Sequence, residues 1–171
     1  MKNLEPKAIE QLLSIIPNHP ATAILHISDG GDEFCDKLKD FTAQNDYEYR
    51  LNITDRDFFE KKKIEYESYN WCKVNLMRYE QRRYVTMAKM YDFVFVTANV
   101  PESNQEEFVK RINSHMKNGA NIILFLPKGD IKSKYKWYEY LDEALFVATN
   151  SIDIFKNYEI VISKKMHGWG N

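Results

Sequence analysis

Apolar and polar positions follow two different rhythms along this chain. Leu4, Ile9, Leu12, Leu13 and Ile16 recur at helical spacing, so residues 4–16 read as an amphipathic helix. The "PNHP" that follows stops it. "ATAILHIS" is a continuous apolar run, the pattern of a strand buried on both faces. After the glycine pair Gly30 and Gly31, Phe34, Leu38 and Phe41 share one helical face, giving a helix that ends near Asn45. "YEYRLNI" reads as a second strand. Residues 54–72 are heavily charged and fit either a charged helix or a long loop. "KVNLM" is a third strand, and "EQRRYVTMAKM" a short helix or loop.

"YDFVFVTA" carries the strongest strand signal, being apolar, aromatic and β-branched. Behind it, "SNQEEFVKRINSHMKNG" places Ser103 and Glu106 in capping-box spacing. Phe108, Ile112 and Met116 form the buried stripe of that helix, with Gly119 as its C-cap. "NIILFLP" is another buried strand, and "DIKSKYKWYEYLDEA" bridges to the last pair, "LFVATNSIDI" and "YEIVISKK". Their short "FKN" connection predicts an antiparallel hairpin. Strands alternating with helices imply an α/β protein with a mainly parallel sheet covered on both faces. The expectation is a three-layer αβα domain over residues 1–171, with a seven-stranded sheet and a C-terminal antiparallel hairpin. Residues 1–20 supply an N-terminal helix and linker, and 165–171 a tail outside the sheet.

Composition acts mainly by exclusion. Hydrophobic content of 44% and charged content of 29% are ordinary for a globular chain, and a net charge of −1 gives no global attraction to nucleic acid or anionic membrane. Cys35 and Cys72 form neither a metal spacing nor a disulfide framework, and read as reduced, partly buried thiols. His19, His26, His115 and His167 form no metal set, and no nucleophile or triad stands out, so no catalytic residue is assigned. "MKNLEPKAIEQLLSII" contains acids and no long apolar core, unlike a signal peptide. No run approaches the roughly 20 apolar residues of a membrane span. A cytoplasmic protein without membrane contact is expected.

Strand–turn–helix units closed by such a hairpin resemble the class I S-adenosylmethionine-dependent methyltransferases over about residues 20–165. Members of that family carry an acid in the first strand, then a loop with three alternating glycines. Laid over "HISDGGD", the acid position is His26, and the glycine positions fall on Ser28, Gly30 and Asp32. Only Gly30 matches, and Gly31 is an extra, so the motif is degenerate. A Cβ at Ser28 or Asp32 changes how closely the loop backbone can approach a cofactor.

The resemblance implies a methyltransferase of unknown acceptor with S-adenosylmethionine as cofactor. Ser28, Asp29, Gly30 and Gly31 would hold its methionine end. Asn52 or Asp55, ending the second strand, would hold the ribose hydroxyls. Arg78 and Tyr79 would lie near the adenine, where a Tyr face could stack. Thr97 and Asn99 follow the fourth strand, where amino-methylating relatives carry Asn or Asp before Pro-Pro and an aromatic; Asn99 and Pro101 echo this at stretched spacing, without the aromatic. Plainer roles stand beside these: helix capping by the acids, a solvent-facing strand end, and a Tyr79 packed on the sheet edge.

The charge of the loop bears on the ligand. A helix N-terminus favours an anion, but Asp29, Asp32 and Glu33 already crowd this one. A dinucleotide is therefore disfavoured, whereas a sulfonium with an ammonium is better received. Elsewhere, "RYEQRRY" and "KGDIKSKYKWYEY" mix cations with rings, notably Arg78, Arg82, Arg83, Lys132, Lys134, Tyr135 and Trp137. These are the ingredients of single-strand nucleic-acid binding, and equally of a solvated face or a homo-oligomer interface. A non-catalytic binding or assembly protein of the same fold is the alternative to an enzyme.

Overall fold

The computed structural model describes residues 4–85 and 89–167. The elements run α1 (Pro6–Leu13), β1 (Ala23–Ser28), α2 (Asp32–Gln44), β2 (Glu48–Ile53), α3 (Arg56–Glu65), β3 (Cys72–Leu76) and β4 (Tyr91–Val96). After a 3₁₀ turn at Glu102–Asn104 come α4 (Gln105–Asn113), β5 (Met116–Pro127), α5 (Ile131–Glu143), β6 (Phe146–Ile152) and β7 (Tyr158–Lys165). The seven strands form one sheet in the order β3-β2-β1-β4-β5-β7-β6. The first five strands are mutually parallel, and β7 runs antiparallel to both β5 and β6.

Strand β1 is buried at every position, as its unbroken apolar run requires. Its side chains divide by alternation. Leu25 and Ile27 join a core with Phe108 and Ile112 of α4 and Trp137 and Leu141 of α5. Ile24 joins the opposite core with Ile9 and Leu12 of α1 and Phe34 and Leu38 of α2. The result is the three-layer αβα sandwich with a mixed, mostly parallel sheet that the pattern implied.

Two open alternatives resolve, and other local expectations need correction. The ambiguous stretch 54–72 contains α3, whose N-cap Asp55 accepts a 2.8 Å bond from the Phe58 N–H. In "EQRRYVTMAKM" the described residues form no helix, and 86–88 lie outside the described residues. Ser103 and Glu106 make no capping box: Ser103 lies in the 3₁₀ turn, and its hydroxyl reaches Asn104 Oδ1 at 3.2 Å. Helix α4 ends at Asn113, so Met116 opens β5 and Gly119 lies within that strand at φ +79°. Sheet pairing wins there, with Tyr91 N–H donating to His115 O at 2.9 Å and Tyr91 facing Met116. Of the expected tail, 168–171 lie outside the described residues. No helix among the described residues is long and apolar enough to cross a membrane.

Candidate functional site

Strands β1 and β4 are neighbours, but α2 and α4 leave them toward opposite faces. Their carboxyl ends therefore frame the crevice where open α/β sheets bind ligands. The bend after β1 is shaped by Ser28, whose hydroxyl donates to Gly30 O at 2.8 Å and accepts from Gly30 N–H at 3.2 Å. Gly31, at φ +91°, is the N-cap of α2 and offers no side-chain cap, so the first amides of that helix have no side-chain acceptor. A Cβ placed on Gly30 would meet nothing within 4 Å, so the space beside this bend is open.

The carboxylates of the bend have partners that the sequence did not reveal. Asp29 accepts the Asn99 N–H at 2.8 Å, joining the β1 bend to the β4 loop. Asp32 lies 2.6 Å from the Lys61 ammonium and 2.7 Å from that of Lys62. Lys62, only 1% exposed, also reaches Asp36 at 2.9 Å and Glu65 at 2.8 Å, and Tyr66 donates to Asp36 at 2.5 Å. Burial opposes the Lys62 charge, but the bonds from Asp32, Glu65 and Asp36 outweigh it and hold the ammonium above its ordinary pKa. For Asp32 burial is likewise outweighed by Lys61 and Lys62, which hold its carboxyl below the usual value. The charge argument against an anion is thus weaker than the sequence suggested.

His26, at the position where the methyltransferases that the sequence resembles carry an acid, is fully buried. Its Nδ1 lies 2.9 Å from the Tyr49 hydroxyl and its Nε2 2.8 Å from Thr97 Oγ1. Thr97 in turn donates to Ile27 O at 3.3 Å, which assigns Nε2 as the donor and Nδ1 as the acceptor from Tyr49. Burial pulls the His26 pKa down to about 3, so the ring is neutral. Cys35 Sγ stands 3.9 Å from His26 Nδ1, and burial pushes its thiol up to about 12. Neither group is an activated base or nucleophile.

The other proposed residues divide clearly. Asn52 is buried inside the sheet, donating to Tyr84 O at 2.8 Å and accepting from Asn75 at 3.4 Å, so both arms of its amide are engaged away from solvent. Asp55 caps α3 at the exposed rim, and Arg78 is exposed nearby. Tyr79 packs edge-on against Phe108 and brings its hydroxyl to 3.5 Å from Asn99 O. Ser28, Asp29, Gly30, Gly31, Tyr79, Thr97 and Asn99 thus gather at one crevice.

A cavity of about 220 Å³ adjoins it, lined by Asp29, Thr97 and Asn99 together with Gln105, Phe125 and Trp137. Gln105 is a residue that sequence reasoning missed. Its Nε2 donates to Val100 O at 3.1 Å, which fixes the amide orientation, and Oε1 has no partner among the described residues. A polar side chain in the first turn of an apolar-faced helix was the only signal. No group of His, Cys, Asp and Glu among the described residues could hold a metal.

The basic and aromatic segments do not form one track. Trp137 and Tyr84 are core residues. Lys134 pairs with Glu159 at 2.7 Å, Lys136 with Glu102, and Lys128 with Asp153.

Solved structures share this architecture. A SAM-dependent O-methyltransferase from Thermotoga maritima superposes with a TM-score of 0.74, over 100% of this chain and 69% of that one, at 10% identity. A methyltransferase from Pyrococcus furiosus gives 0.69 over 96% and 88%, at 16% identity. The chain has the class I methyltransferase fold. The CMeT domain of a citrinin polyketide synthase shares this fold at a TM-score of 0.71 and 11% identity, over 93% of this chain and 50% of that one. This methyltransferase-fold chain spans about half the length of that domain structure and of the CurJ carbon methyltransferase. No protein-family model matches the sequence, and no curated protein matches it.

Proposed function

We propose that this chain is an S-adenosylmethionine-dependent methyltransferase whose acceptor enters the cavity between β4, β5 and α5. The observation that carries the reading is the open bend at Gly30, placed at the switch point and sharing Asp29 with the adjoining cavity. The residues present fit the cofactor in two respects. The space beside Gly30 is clear, and the uncapped first turn of α2 offers amide donors to a carboxylate. Gly30 and Gly31 would hold the methionine end, Asp55 the ribose, and the Tyr79 face the adenine. When bound, the cofactor supplies a methyl group on a sulfonium.

The chain's own contribution is orientation. Asp29 and Asn99 fix the lip between the two subsites, and Gln105 Oε1 is an acceptor for a donor group on the incoming molecule. Rate enhancement would come from placement more than from acid–base work, since His26 is neutral and Cys35 protonated. Titration calorimetry with S-adenosylmethionine and S-adenosylhomocysteine should give saturable heat with both, weakened in Asp29→Ala. Absence of heat with either compound at millimolar concentration overturns the reading. A non-catalytic module of the same fold is the second reading. It is favoured by the internal use of Asn52 and by the lysine clamp on Asp32, and it predicts a folded protein silent in that titration.

A further inference from the structure

Beyond Tyr79, the segment "RYEQRRY" turns away from the crevice. It leaves the carboxyl end of β3 and runs along α4, where Arg111 Nη1 donates to Tyr79 O at 2.7 Å and Gln81 O at 2.6 Å. Tyr84 then packs on Phe108 with ring centroids 5.6 Å apart. The chain thereby reaches the opposite edge of the sheet, where β4 and β5 begin. At that edge Arg82, Arg83, Val85, Lys89, Met90 and His115 border a cavity of about 370 Å³.

The polar groups there are incomplete. Arg82 and Arg83 are exposed and have no acidic partner among the described residues, while Lys89 pairs with Glu48 at 2.5 Å. His115 is only 8% exposed and lines the cavity, and its ring makes no hydrogen bond to another described residue, although its nitrogens are not fully enclosed. An imidazole and two guanidinium groups lining one cavity suit an anion that can accept from all three. Phosphate oxygens match the planar fork of Arg and the donor of a protonated imidazole. Burial first, and Arg83 second, hold His115 below its ordinary pKa, and an anion would relieve the repulsion.

We propose that this cavity binds the phosphate group of a small phosphorylated molecule. Val85 and Met90 give the site apolar walls suited to the rest of such a ligand. The paired lysines of α5 and the net charge of −1 argue against a nucleic-acid track. Six residues of β4 separate this edge from the crevice, about 20 Å of strand, so the site is distinct from the proposed cofactor site and does not depend on it.

The test is NMR of the His115 imidazole during titration with inorganic phosphate, against chloride at equal ionic strength. Saturable ring shifts with phosphate alone are expected. The Arg82→Gln/Arg83→Gln protein should bind about tenfold or more weakly, since each charge-assisted bond contributes on that order. Lys132→Gln, on α5, should leave binding unchanged. No saturable shift in the millimolar range, or an undiminished response in the double variant, overturns the proposal. Single-stranded oligonucleotides provide the other arm: affinity that rises with their length would overturn the small-ligand assignment.

Discussion

His26 illustrates how one buried residue can set the pH response of a fold. Its neutral ring links Tyr49 on β2 to Thr97 after β4, across the middle of the sheet. In the unfolded chain the imidazole titrates near 6.5, but burial lowers the folded value to about 3. The unfolded state therefore binds the extra proton first, and stability falls as pH drops from the higher value toward the lower. This single group contributes a loss of roughly 1.4 kcal/mol per pH unit in that window. Urea unfolding at pH 7 and pH 5 should show this loss in the native protein and a flatter response in His26→Gln. Equal slopes for the two proteins would remove His26 from the acid limb.

Among the elements, β5 is where backbone conformation matters most. Gly119 sits in the strand at φ +79°, and a Cβ there would meet His167 Nε2 at 3.0 Å. Gly119→Ala should therefore destabilise by about 1–2 kcal/mol, from the left-handed backbone and the displaced ring, measurable as a lower urea midpoint. The sequence pattern hid this strand's start because Met116 continues the spacing of Phe108 and Ile112, and only pairing with Tyr91 draws it into the sheet. Strands β1 and β4 were legible because continuous apolar runs admit few other readings, and β7 because the short "FKN" connection pairs it with β6. Helix α3 was obscured by Lys62, a charged residue that occupies a buried position. In the site, the bend and Asn99 were legible from chain order. The engagement of Asn52 by Tyr84 and the role of Gln105 depend on contacts between distant segments, which periodicity does not encode.

On the scale of the molecule, the two edges of one sheet carry different chemistry. The carboxyl edge presents a glycine bend and a crevice, while the amino edge presents arginines around an imidazole. Strand order has a further consequence for biosynthesis. Strand β7 is made last of the seven but lies between β5 and β6, and β6 has no other neighbour. On the ribosome, β6 emerges before anything can pair with it, and one side of β5 waits as well. Nascent chains arrested with Asn157 just outside the exit tunnel should be cut readily by protease, and chains extended past Lys165 should become resistant. Protection at the shorter length would mean that the first five strands close a stable sheet unaided. Otherwise the chain passes through an interval of exposed apolar strand, during which holding chaperones have their best opportunity to act.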